Sequence, residues 1–364
     1  MALFAEPTKK REDSIDLIRA LSIIGVLVWH YTTHLPDHYL NWTYKGITLP
    51  YGYIGVQAFF IVSGYCIYLT ITHSKSLSDF FAKRISRLWP ALIVAATVTY
   101  IFVHIFGLPG RAVNTLKYIS NLLFLNVISE RYVDSVYWTI TTEVKFYLWF
   151  GLFYFLDKTH IARWWSAFSL VSLAVGILGL SVSYYPTLSA VMGFIGDKIF
   201  IFPHAAWFLI GIIIYEWNTT SWKQKAVLFI PVFITLAFTG YTKSWLEMFL
   251  LILATIACIA LIPLKGLSIP APVRFIGLVS YPLYLVHQNV GYIIIREFPG
   301  VDPYVRLLIA ISTVVGVAAI IHYGIEWRFR RRFYTYIRKV LDPLSRVVIK
   351  RFPSLERFTD FPLS

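Results

Sequence analysis

Charge is what this sequence has least of. Only 14% of its 364 residues are charged, whereas 57% are apolar and 18% aromatic. A soluble globular chain is about a quarter charged and near half apolar, so an ordinary water-soluble domain is excluded. Cysteine is scarce too. Cys66 and Cys258 both fall inside apolar blocks, which argues against a disulfide framework, and no Cys–His metal spacing occurs. No linker, low-complexity segment or internal repeat interrupts the chain. A single domain over 1–364 is expected, with a basic cytoplasmic tail at 324–364. No small-residue cleavage site follows the basic N-terminus (Lys9, Lys10, Arg11), so the first apolar stretch reads as an uncleaved span and not a signal peptide.

What is present is apolar sequence in blocks of about 20 residues, the length that crosses a hydrocarbon core as a helix. Ile54–Leu69 and Leu88–Tyr100 contain no charge at all. Backbone withdrawn from water must satisfy its own hydrogen bonds, so these blocks are helices. The expected fold is an all-α polytopic membrane protein with ten transmembrane helices. They lie near 14–34, 51–72, 88–106, 136–156, 164–182, 199–216, 226–241, 245–262, 277–296 and 304–323. An eleventh block, 114–128, is interrupted by Lys117, Asn121 and Asn126.

Charge decides the count. With ten spans and a cytoplasmic N-terminus, 23 of the 33 Lys and Arg residues fall on the cytoplasmic side and 6 in outer loops, as the positive-inside rule requires. An eleventh span would reverse everything after it. We therefore read 107–135 as an outer loop with an amphipathic or re-entrant helix, and both termini as cytoplasmic. Most of the net charge of +14 belongs to this inner surface, with Arg328, Arg330, Arg331 and Arg332 directly after the last span. Each basic residue there gains about 1 kcal/mol from anionic lipid headgroups. Membrane lipids are thus an expected partner, and nucleic acid is not.

An ionisable residue at membrane depth costs several kcal/mol and is a functional candidate by default. Arg19 and His30 are eleven residues apart, which places them about 20° apart around a helix and about 16 Å apart along it. Asp16 precedes Arg19 by one turn. His30, His34 and His38 repeat at four-residue spacing, but Pro36 breaks the helix before His38 and only Asp37 is close, so no metal is expected. Arg84 and Arg87 share a helix face and suit bidentate capture of phosphates. Glu143 lies in an aromatic span, with Lys145 two residues away on another face. It is thereby available to orient a histidine or exchange a proton. Ser63 and Gly64 are small, permitting close helix approach or a narrow channel.

In this order the segments resemble the acyltransferase-3 family of membrane acyltransferases, many of them bacterial O-acetyltransferases. The resemblance covers nearly the whole chain. It rests on Asp16–Leu21, the Arg19/His30 pair, Phe59–Tyr65, Arg84 and Arg87 before Pro90, Trp138 with Glu143, Phe146 and Tyr147, and Ile276–His287. Thr139 departs from the serine usual after the tryptophan but keeps a hydroxyl.

The resemblance implies a cytoplasmic acyl-CoA donor, with acetyl-CoA the expected one. It also implies a cell-surface, periplasmic or lipid-linked carbohydrate acceptor and a place in a bacterial inner membrane. Arg19, Arg84 and Arg87 would bind the donor. His30 would act as general base or acyl carrier, and Glu143 would orient or charge-balance its imidazole. Asp16, Ser63, Trp138, Tyr147 and His287 would support them. No esterase-like segment of the kind some members carry is found, so transfer is expected to finish in the membrane domain or on a separate partner. The alternative is a secondary transporter or flippase of a small anionic or glycan substrate. Paired inverted repeats with broken helices, a transporter signature, are not visible between the halves.

Overall fold

The computed structural model describes residues 13–35, 46, 48–125, 132–182, 184–217 and 220–351. Lys9, Lys10, Arg11, Asp37, His38 and the tail from 352 onward lie outside the described residues. Among the described residues every regular element is helical. In chain order the helices are α1 (Asp13–Trp29), α2 (Gly55–Thr72), α3 (Leu77–Phe106), α4 (Thr115–Leu122), α5 (Trp138–Leu156), α6 (Ile161–Ser181) and α7 (Pro186–Phe194). They continue with α8 (Ala205–Tyr215), α9 (Trp222–Leu228), α10 (Ile230–Thr242), α11 (Trp245–Leu261), α12 (Ala271–Glu297), α13 (Pro303–Ile321) and α14 (Trp327–Arg351). Short π-helical turns extend α1 at His30–His34 and α13 at His322–Glu326.

Six helical runs are long and apolar enough to cross a membrane: 13–34, 52–72, 77–106, 161–181, 222–242 and 303–345. The other four expected spans coincide with α5, α8, α11 and α12. Of these, α8 and α11 are apolar but short. In α12 the run from Pro282 to Ile295 is buried by protein, so its polar residues face neighbouring helices and need not suit lipid.

The ends of α3 follow from local chemistry. The Ser76 side chain caps its start by accepting from the Asp79 amide at 3.2 Å, and Gly107, at a φ of 65°, ends it. Thirty residues give about 45 Å of helix at 1.5 Å each. Hydropathy alone marks only its apolar half; the polar half from 77 to 87 continues the same helix.

Against α3 lie two elements with weak apolar signatures. Helix α4 runs back along it: Tyr118 meets Thr97 at 2.7 Å, and Trp89 donates to the Leu122 carbonyl at 2.7 Å. An amphipathic or re-entrant helix is expected in the 107–135 loop, and α4 is the helix found there. Helix α14 occupies most of the segment read as a basic tail. Its Tyr334 donates to Asp79 at 2.7 Å, and Arg338 pairs with Asp79 at 3.6 Å.

Glycines set the closest crossing elsewhere. A β-carbon on Gly64 would stand 2.2 Å from the Phe208 carbonyl oxygen, and one on Gly211 would stand 2.1 Å from that of Ile61. Only glycine lets α2 and α8 approach this closely.

Candidate active site

The crossing of α1 and α12 brings two candidate histidines together. At one end Gly277 sits against Asp16, whose carbonyl oxygen would be 2.3 Å from an added β-carbon. At the other end the Tyr31 hydroxyl donates to the His287 carbonyl at 2.6 Å. Tyr292 donates back from α12 to the His30 carbonyl at 3.3 Å. Two reciprocal bonds thus fix the backbones on either side of the histidines.

His30 and His287 meet between them. Nε2 of His287 lies 3.1 Å from Nδ1 of His30. Each Nδ1 also faces a carbonyl of its own helix, Val26 for His30 and Tyr284 for His287, both at 2.9 Å. Both rings are buried. His30 opens the π-helical turn of α1, a departure from α geometry that is frequent at functional sites. His34, at the far end of that turn, stacks on Trp29 with ring centres 4.8 Å apart.

A cavity lies one turn of α12 from this pair; Tyr284, in its wall, has its ring centre 5.5 Å from that of His287. Its walls come from α1, α2, α3, α5 and α12, and its polar groups include Arg19, Ser63, Arg87, Glu143 and Tyr281. Phe59, Phe60 and Ile140 supply apolar surface. Glu143 accepts from the Tyr147 hydroxyl at 2.6 Å and from Ser63 at 3.4 Å. It shares the cavity with Arg19 and Arg87. A carboxylate at membrane depth is tolerable when hydroxyls and guanidinium groups answer it in this way.

Several expected residues converge, in an arrangement that differs from the expected one. Arg19, Arg87, Ser63 and Glu143 share the cavity. Arg84 is buried and donates to the Cys66 carbonyl and the Thr70 hydroxyl on α2, with its guanidinium 5.8 Å from the centre of the Tyr147 ring. The two arginines expected to act as one fork therefore divide, because three residues turn a helix by about 300° and leave their side chains about 60° apart. Arg84 ties α3 to α2, and Arg87 faces the cavity.

Glu143, expected beside the imidazole of His30, bonds Tyr147 and Ser63 instead, and His30 has His287 as its ring partner. Trp138 packs on His204 and Phe60, with ring centres at 4.9 and 6.1 Å. Asp16 is buried at the Gly277 end of the crossing. Among the described residues no cluster of His, Cys, Asp and Glu is arranged to hold a metal ion.

The sequence reading passed over Ser280, Tyr281 and Tyr284 as site residues, although all three line the cavity. A signal existed: 280, 284 and 287 are spaced four and three apart and form one stripe of α12. No sequence signal marked the chain from Arg111 to Ser135 at 2.8 Å and on to Gln288 at 2.6 Å. It joins the 107–135 loop to the residue after His287.

Comparison with known proteins gives consistent results. The family model described as Acyltransferase domain matches residues 12–323. The chain is 26% identical to a peptidoglycan O-acetyltransferase, OatA, of Listeria monocytogenes over 92% of its own length and 58% of that protein's. It is 28% identical to YrhL of Bacillus subtilis, a putative peptidoglycan O-acetyltransferase, over 47% of this chain and 28% of the relative. The O-acetyltransferase OatA of Staphylococcus aureus matches at 26% over 38% of this chain and 24% of its own length. The chain thus spans at most 58% of these curated relatives. No solved structure matches it.

Proposed function

The chain belongs to the Acyltransferase domain family, the membrane acyltransferase-3 proteins, and from that membership we propose that it transfers acetyl from cytoplasmic acetyl-CoA to a carbohydrate hydroxyl across a bacterial inner membrane. One observation carries the reading. Arg19 and Arg87 share a cavity walled by Tyr284, whose ring centre is 5.5 Å from that of His287, the buried partner of His30. Cations for a polyanionic donor and a base for the acceptor therefore stand on either side of the Tyr284 ring. The relatives' names favour a peptidoglycan-type glycan as acceptor.

In this reading all 364 residues form one membrane domain of ten spans. The six long apolar helices are joined by α5, α8, α11 and α12, the last enclosed by the others. Both termini are cytoplasmic, and the basic segment from 324 meets anionic lipid. Arg87 and Arg19 hold donor phosphate, as guanidinium groups do in charge-assisted pairs. Arg84 keeps α3 in register with α2, and Glu143 balances the arginine charge while held by Tyr147 and Ser63.

His30 acts as general base. It takes the proton of the acceptor hydroxyl as that oxygen bonds to the thioester carbonyl carbon. The carbon–sulfur bond then breaks, and the departing sulfur receives the proton from His30, giving an O-acetyl ester and free CoA thiol.

The test uses purified protein in lipid nanodiscs with acetyl-CoA and a soluble β-1,4-linked N-acetylglucosamine oligomer. Thiol release and the mass of the acetylated oligomer are followed. Wild-type protein is expected to give both and His30→Gln neither. Transfer by His30→Gln at the wild-type rate would overturn the base assignment.

A further inference from the structure

We infer that His287 is a positioning residue that fixes the tautomer of His30, placing the ring proton on Nδ1 and leaving Nε2 as the only nitrogen able to accept a proton. The inference rests on the proposed role of His30 and assigns the second histidine a distinct task.

The argument is a count of donors and acceptors. A backbone carbonyl can only accept, so Tyr284, 2.9 Å from Nδ1 of His287, calls for a proton on that nitrogen. A neutral imidazole with its proton on Nδ1 has a bare lone pair on Nε2. That lone pair faces Nδ1 of His30 at 3.1 Å. The same Nδ1 faces the Val26 carbonyl at 2.9 Å, a second group that can only accept. Two independent acceptors therefore demand a proton at His30 Nδ1, and the other tautomer would set lone pairs against both.

The demand does not relax during the reaction. When His30 takes a proton at Nε2, its Nδ1–H keeps the same two acceptors. The tautomer that is ready to act as base is thus also the one that stays bonded once charged. The serine-protease triad uses the same logic, with an acid holding the proton on the nitrogen that does not react. Here a neutral imidazole takes that place, which avoids setting a carboxylate against the ring at membrane depth. The surrounding packing serves the alignment: Tyr31 bonds the His287 carbonyl and Tyr292 that of His30, so neither ring can slide along its helix.

Size and acceptor capacity can be separated by substitution. His287→Gln offers a carbonyl oxygen that reaches toward the former Nε2 position, while His287→Leu fills similar volume and accepts nothing. Loss of an orienting partner costs about 10–100-fold where it has been measured at metal-bound histidines. We expect a kcat loss of that order for His287→Leu with the acetyl-CoA KM unchanged. The Gln variant should recover most of it.

The deciding measurement is ring nitrogen-15 NMR of histidine-labelled protein in nanodiscs, with the His30 signals identified by their loss in His30→Gln. Wild-type protein should show His30 protonated at Nδ1 and bare at Nε2, and His287→Leu should show a tautomer mixture. A wild-type His30 protonated at Nε2, or an unchanged kcat in His287→Leu, would overturn the inference. The ring assignment needs no substrate. If wild-type protein transferred nothing from acetyl-CoA, the proposed reaction would fall while the NMR result still decided this point.

Discussion

The ring of Tyr31 fills the space that a β-carbon on residue 291 would need: such an atom would stand 2.0 Å from the Tyr31 hydroxyl oxygen. Gly291 is therefore required by contact with another helix, and it lets Tyr31 reach the His287 carbonyl. Gly291→Ala is expected to push the two helices apart at the histidines. Overpacking of this kind costs about 1–3 kcal/mol, and activity should fall further because the ring geometry is disturbed. Tyr31→Phe in the same chain removes the clashing oxygen and should restore part of the stability. Thermal unfolding of the single and double variants in one detergent measures this; equal melting of Gly291→Ala and wild type would show that the helices do not meet as described.

Topology yields a second prediction. A reporter fused after Ser364 should read cytoplasmic, and one inserted within 183–198 should read external. The motive is the division of basic residues, 23 on one side against 6 on the other. An external C-terminus would mean either an odd number of spans or the opposite orientation, and the ten-span reading would fall.

How much was legible beforehand depended on what each signal measures. Hydropathy located the apolar helices, and helical spacing put Arg19 and His30 on one face of α1. Neither says which helix lies opposite. The meeting of His30 and His287, 257 positions apart in the chain, was therefore invisible, and Glu143 was assigned to a ring that it does not bond. Helix α14 was read as a tail because its polar sequence carries no span signal, yet it is held by Asp79 on α3. A helix within 107–135 was expected from charge balance and not from apolarity, and α4 is such a helix.

Glu143 yields a third prediction. Glu143→Gln keeps an oxygen for Tyr147 and Ser63 but removes an acid from the cavity that Arg19 and Arg87 line. The fold should survive, and the acetyl-CoA KM should change more than kcat, because the altered field lies at the arginines and away from the histidines. Leaving those guanidinium groups less balanced should tighten donor binding, by up to about tenfold for 1.4 kcal/mol. A drop in kcat as deep as that of His30→Gln, with KM unmoved, would instead place Glu143 in the proton transfer.

The two arginines of α3 give the last prediction, which separates a ligand contact from a structural one. Arg87 lines the cavity; Arg84 is buried, and its Nη2 donates to Cys66 and Thr70. Removing a charge-assisted hydrogen bond costs about 1.5–3 kcal/mol. For Arg87→Ala this should appear as a ten- to hundredfold weaker acetyl-CoA affinity, about one decade per 1.4 kcal/mol, with little change in melting temperature. Arg87→Lys should rescue only partly, since a point charge cannot reproduce the planar fork. For Arg84→Ala the same cost should fall on stability, because the Cys66 carbonyl and the Thr70 hydroxyl lose their donor where α2 meets α3. Calorimetric titration with acetyl-CoA and thermal unfolding, run on both variants, read the two effects apart. Equal losses of affinity without loss of stability would mean that both arginines hold the donor, and the division between them would be wrong.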